Sequence, residues 1–202
     1  MYHPLRRTIM RYVLGLFLFV ISAFIGLKLP DFDQSFYWRP LIVHRSLLTH
    51  SALLPLILFF TLKGHILGKK ADPLVRLPLL GFLLATAVHL CFDLFPYAWA
   101  GYALVHIPLF GWVGAWPSAF WLGSGALVSL YLACRLFQRI TDVWLTALGL
   151  ATCYGWAAAH APYFSFAALM ALVAVSLIAF FLPRPPPDPS NPAEALTRWK
   201  RL

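Results

Sequence analysis

The chain has 202 residues, of which 61% are hydrophobic and only 11% charged, with a mean hydropathy of +0.76. Soluble globular domains carry roughly 25% charged residues, so this composition excludes both a soluble globular protein and a disordered one. The formal net charge of +9 would point to nucleic acid in a soluble protein, but in a chain this apolar it is read as topology-setting charge, and no nucleic-acid partner is expected.

A bilayer crossing needs about 20 predominantly apolar residues, and six stretches meet that need. In chain order they are Tyr12–Leu29, Ser46–Leu62, Leu77–Phe95, Pro117–Cys134, Val143–Ala159 and Tyr163–Leu182. The first follows Arg6, Arg7 and Arg11 and ends at Lys28-Leu29-Pro30 without a small-residue cleavage site, so a retained span is expected rather than a signal peptide. With the N-terminus in the cytoplasm, thirteen of the sixteen Lys and Arg fall on the cytoplasmic side; only Lys28, Arg39 and Arg45 fall outside. That bias predicts six spans with both termini inside. The expected fold is therefore all-α: a polytopic membrane helix bundle forming one domain over residues 1–183. A Pro-rich cytoplasmic tail occupies 184–202, and the setting is a bacterial-type inner membrane.

Between the third and fourth spans, residues 96–116 carry no charge but include Tyr97, Trp99, Tyr102, Trp112 and Trp116 along with Pro108. Such a segment reads as an interfacial loop or a re-entrant element at headgroup depth. Cys91, Cys134 and Cys153 lie in apolar runs at no metal-binding spacing and are read as small buried hydrophobes.

The polar residues are distributed unevenly. Asp72, Asp142, Asp188 and Glu194 fall on the cytoplasmic side among basic residues, as loop charges or helix caps. Asp31, Asp33 and Asp93 fall at the outer face together with His44, His50, His89, His106 and His160. Ionisable groups at membrane depth are costly and usually line a cavity or a site. Asp31 and Asp33 stand at i, i+2 at the end of the first span, where an extended or turn segment points both carboxylates the same way. His44, Arg45, Thr49 and His50 open the second span, and His89 and Asp93 stand at i, i+4 near the outer end of the third. Imidazole and carboxylate without sulfur suit zinc, manganese or iron. His106 and His160, beside Pro108 and Pro162, are expected to be interfacial and non-catalytic.

Leu29-Pro30-Asp31-Phe32-Asp33, then His44-Arg45-Ser46-Leu47-Leu48-Thr49-His50-Ser51, then His89-Leu90-Cys91-Phe92-Asp93 resemble the LexA-regulated, membrane-bound family of predicted metal-dependent hydrolases. The family pattern reads roughly Leu-Pro-Asp-x-Asp, His-Arg-Gly-x-Thr-His-Ser and His-x-x-x-Asp, and the likeness covers about residues 26–96. It implies an integral membrane hydrolase whose metal is held by Asp33, His44, His50, His89 and Asp93. Ser46 stands where the family has Gly, and Gln34 where a His often follows the second Asp. These departures leave open a single-metal site or a non-catalytic member.

On this reading one or two divalent ions (zinc, manganese or iron) activate water. Asp33 is a further ligand or a bridge, and Asp31 orients a histidine or acts as general base. Arg45 grips an anionic oxygen, and Thr49 donates to the same anion. The substrate class that fits an outer-leaflet site is a lipid headgroup or a lipid-linked phosphoester, so the expected partners are membrane lipids. The competing classes are a structural or assembly protein that uses the cluster for rigidity, and a transporter. Transport is disfavoured because the ionisable residues gather at one face instead of mid-span.

Overall fold

A computed structural model of the chain describes residues 3–34, 45–67, 71–95, 104–160 and 166–183, with side chains described from residue 8 and excepting Gln34. Among the described residues the architecture is helical apart from one small hairpin. Helix α1 (His3–Lys28) runs into a 3-10 turn (Pro30–Gln34). Two short helices follow, α2 (Leu53–Thr61) and α3 (Lys63–Ile66). Then come α4 (Pro73–Asp93), strands β1 (His106–Ile107) and β2 (Gly111–Trp112), α5 (Ala115–Arg135), α6 (Ile140–His160) and α7 (Phe166–Phe181). Three helices, at Thr8–Lys28, Pro73–Asp93 and Ala115–Arg135, are long and apolar enough to cross a membrane, and α7 is apolar but shorter.

Helix α4 is the axis of the bundle. It packs against α1, α5, α6 and α7, and Leu80, Leu83, Leu84, Ala87, Val88 and Leu90 along it are fully buried. Its start is set by Asp72, whose carboxylate accepts from the Leu74 N–H at 3.0 Å, with Pro73 in the first turn where a missing N–H costs nothing. Small residues let α1 approach it closely. A Cβ added to Gly26 would sit 2.6 Å from the Phe82 carbonyl oxygen, and Ser22 Oγ donates across the crossing to the Pro78 carbonyl at 2.6 Å. Close backbone approach with a hydroxyl bonding across the seam is how helices associate where lipid removes the hydrophobic drive. The outward side chains agree with such surroundings: Val13, Phe17, Val20 and Phe24 on α1 and Trp144 and Leu148 on α6 are exposed.

The two ends of the bundle differ in chemistry. At one end Arg11 pairs with Asp72 at 3.2 Å, and Arg76 Nη1 pairs with Asp142 Oδ2 at 2.9 Å. Arg76 also donates to the Leu136 carbonyl, and Asp142 accepts from the Gln138 and Arg139 N–H groups. Asp72 and Asp142 are thus caps, as expected, but Asp142 is buried in an ion pair rather than a solvated loop charge. The other end carries the His/Asp cluster.

Two expected elements differ from the structure. The span expected over Ser46–Leu62 is a nine-residue helix, Leu53–Thr61, about 13–14 Å long and too short to cross a bilayer. The cause is local. Ser51 Oγ accepts from the Leu53 N–H and Ser46 Oγ from the Leu48 N–H, so hydroxyls capture backbone N–H groups at the point where the expected helix would begin. Arg45 takes a left-handed backbone, φ 61°. In the 96–116 segment, residues 96–103 lie outside the described residues. Beyond them a hairpin pairs His106 with Trp112 and Ile107 with Gly111, and α5 begins at Ala115. The tail at 184–202 also lies outside the described residues.

Candidate metal centre

Three chain segments deliver the cluster. The 3-10 turn brings Asp31 and Asp33, the 45–52 loop brings Arg45, Thr49 and His50, and the last turn of α4 brings His89 and Asp93. The loop is pinned from both sides. The His106 N–H donates to the Arg45 carbonyl at 2.9 Å, and the Leu47 N–H donates to the His106 carbonyl at 2.8 Å, so β1 adds a short parallel bridge to Ser46. Facing the turn, the Ser46 N–H reaches Asp33 Oδ2 at 3.4 Å.

The imidazole tautomers follow from their neighbours. His89 Nδ1 lies 2.9 Å from the Leu27 carbonyl. A carbonyl only accepts, so Nδ1 carries the proton and Nε2 presents a lone pair. Thr49 Oγ1 donates to Asp33 Oδ2 at 2.5 Å and lies 3.0 Å from His50 Nδ1. The hydroxyl proton being committed to the carboxylate, the hydroxyl oxygen accepts from His50 Nδ1–H. His50 Nδ1 is also 3.4 Å from Asp33 Oδ2. Both rings therefore turn Nε2 toward one point, with centroids 5.4 Å apart. A histidine held through its far nitrogen by a carboxylate or carbonyl is the usual support of a metal ligand.

Asp93 Oδ2 lies 3.2 Å from both Nε2 atoms. Asp31 Oδ1 lies 4.0 Å from His50 Nε2 and 3.8 Å from His89 Nε2. Two atoms bonded to one ion at about 2.0–2.2 Å are separated by at most about twice that length, and all four distances meet this limit. One ligand atom each from Asp31, His50 and His89 falls within a mutual 4.8 Å. Moreover, with Nδ1 holding the His89 proton, His89 Nε2 and Asp93 Oδ2 face each other at 3.2 Å as two buried electron-rich atoms with no proton between them. Buried polar atoms left in that state carry a desolvation cost, which a cation between them removes. The residues present therefore fit a divalent metal ion.

The electrostatics agree. His50 lies in a loop outside the long helices. Burial opposes charge on its ring, but hydrogen bonds to Asp33 and Asp93 and the field of both carboxylates outweigh burial, and its pKa rises from 6.5 to about 9. The cluster thus favours positive charge at this point. Arg45 Nε, 3.6 Å from Asp93 Oδ1, supplies part of it.

Set against the sequence expectations, Asp31, Asp33, Arg45, Thr49, His50, His89 and Asp93 all meet here, while His44 lies outside the described residues. The two turn carboxylates take opposite places from those expected. Asp31 faces the Nε2 atoms, whereas Asp33 stands behind His50 on its Nδ1 side. Thr49 serves Asp33 and His50 instead of facing outward to a substrate anion. His160, as expected, is peripheral, stacked on Trp156 at 4.1 Å. His106 is buried, and its backbone holds the site loop in place. The contributions of Ser46, His106 and the Leu27 carbonyl are made by backbone atoms, for which side-chain identity carries almost no signal.

Comparison of the chain with models of known families, with curated proteins and with solved structures finds no match.

Proposed function

We propose that this chain is an integral membrane metal-dependent hydrolase of the kind its motifs resemble, working at the outer membrane–water interface on the phosphoester of a lipid or lipid-linked headgroup. The observation that carries the reading is the grouping of Asp31, His50 and His89 within a mutual 4.8 Å from three separate segments, with Asp93 Oδ2 3.2 Å from both imidazole Nε2 atoms. The topology that goes with it has both termini in the cytoplasm of a bacterial-type inner membrane and up to six crossings. The separation of Arg11, Arg76, Arg135 and Arg139 at one end of the bundle from the cluster at the other supports that orientation.

His50 Nε2, His89 Nε2, Asp93 Oδ2 and Asp31 Oδ1 would hold the ion, with zinc, manganese and iron all suited to the donor set. When bound, such an ion supplies Lewis acidity, bringing the pKa of water toward about 7 and polarising a phosphoryl oxygen. The protein's own groups supply the rest. Asp33 and Thr49 fix the His50 ring, and the Leu27 carbonyl fixes His89. Arg45, held over Asp93 by the hairpin, offers a guanidinium to an anionic oxygen. Asp31, with its side chain 38% exposed, is open to solvent, and its second carboxylate oxygen would take a proton from an entering water.

A second reading has a specific observation behind it. The bonds of Asp33 to Ser46 and Thr49 tie the turn to the loop, as a non-catalytic assembly protein would require for rigidity. Metal analysis separates the two readings. The hydrolase reading expects one or two equivalents of divalent metal in protein purified without chelator, lost in a folded His89→Ala variant. Metal-free protein after supply of zinc, manganese and iron in turn would refute it.

A further inference from the structure

Beside the cluster lies an apolar groove of about 170 Å³, walled by Pro30, Phe32, Leu48, Leu54, Phe82 and Thr86. Thr49 belongs to both places: it lines the groove and bonds Asp33. Phe82, Thr86, His89 and Asp93 are spaced by four, three and four residues along α4, so they form one helical stripe. The groove therefore continues the face that carries His89 and Asp93. It runs back along a membrane-length helix to about 10 Å from His89, at 1.5 Å per residue, toward the middle of the apolar span. Its rim is open, with Phe32 and Leu48 more than half exposed. Among the described residues, no charged side chain lines it. The loop that supplies Leu48 and Thr49 to the groove also carries Arg45, whose Nε is buried 3.6 Å from Asp93 Oδ1.

We propose that this groove seats one acyl chain of a membrane lipid whose anionic phosphate lies at the His/Asp cluster, so that substrate enters sideways from the bilayer. The proposal rests on the hydrolase reading for the headgroup, and on the groove's own chemistry for the chain. Charge complementarity orders the ligand: guanidinium and metal cation meet the phosphate, and an uncharged trough at hydrocarbon depth meets the tail. A soluble phosphoester would leave the trough unfilled and gain nothing from its alignment with the α4 stripe.

The test uses the full-length protein in phosphatidylcholine nanodiscs with a phosphatidic acid carrying a mid-chain diazirine. Photolabelling is expected to concentrate on peptides containing Phe32, Leu48–Leu54 and Phe82–Thr86. It is expected to be lost in Leu54→Trp, which blocks the rim without touching the core, and in Thr86→Phe, which fills the trough from within. Metal content should be unchanged in both variants. Dioleoyl phosphatidate should compete, and glycerol 3-phosphate should not. Labelling spread evenly over the exposed faces of α1 and α7, unmoved by Leu54→Trp, overturns the groove even if metal is bound. Competition by glycerol 3-phosphate as effective as that by phosphatidate also overturns it. Groove labelling that disappears in Leu54→Trp, in protein that binds no metal, upholds the acyl seat and refutes the hydrolase reading alone.

Discussion

The carboxylates of the cluster divide by which nitrogen they face, and that division sets the consequences of substitution. His50→Ala and His89→Ala each remove a ring nitrogen from the shared point and should abolish stoichiometric metal binding. Asp33→Asn keeps the shape and all four inward atoms but loses the charge behind His50. It should weaken metal affinity about 10–100-fold, the usual effect of losing such a support, and a competition titration with a chromogenic chelator measures this. Arg45→Gln should leave metal content intact while removing hydrolysis of an anionic lipid. His50 also gives the metal-free protein a pH signature. Its pKa is raised by folding, so the stability it contributes is fully present below about 6.5, the unfolded value. That stability is lost as pH rises toward about 9. The melting temperature of chelator-stripped protein in detergent should fall across that window. His50→Gln should flatten this part of the profile, and saturating divalent metal should replace the proton and flatten it too.

At the scale of elements, two seams hold the bundle together. The first is the α1–α4 crossing, which places the Leu27 carbonyl against His89. Gly26→Leu forces a side chain into the Phe82 backbone, and should lower stability by about 1–3 kcal/mol as an overpacked contact, with loss of metal binding in step. The second is the Arg76–Asp142 pair at the opposite end. Arg76→Met strands a buried carboxylate and should cost about 3–5 kcal/mol, while the double variant Arg76→Met with Asp142→Leu should recover most of it. Thermal melts in one detergent check both. The long helices were legible in the sequence because twenty-residue apolar runs bounded by charge have few alternative readings. The short α2 was not, because Ser46 and Ser51 look like ordinary polar residues at a span's edge until their hydroxyls are seen to take backbone partners. The hairpin was illegible for a related reason: Pro108 and the aromatics mark a broken segment without saying that His106 will pair with Ser46.

For the molecule as a whole, the important feature is polarity along the bundle axis. Basic residues, the exposed Arg11–Asp72 pair and the buried Arg76–Asp142 pair hold one end, and acid and imidazole groups collect at the other beside an apolar trough. The one-sided gathering of Asp31, Asp33, His50, His89 and Asp93 was readable from their order and from the Lys/Arg bias. The division of labour between Asp31 and Asp33 was not, since residues at i, i+2 look alike until the 3-10 turn from Pro30 rotates one toward Nε2 and the other toward Nδ1. Metal binding to the folded state alone should stabilise it, by about 2.7 kcal/mol at a free concentration 100 times Kd. Anomalous scattering from crystals of the full-length protein, collected above and below the absorption edge of the metal supplied, tests the central claim most directly. The account predicts a peak within bonding distance of His50 Nε2, His89 Nε2 and Asp93 Oδ2, with Asp31 completing the set. A metal-replete crystal with no peak among those atoms, or with the two imidazoles turned away from each other, would contradict it.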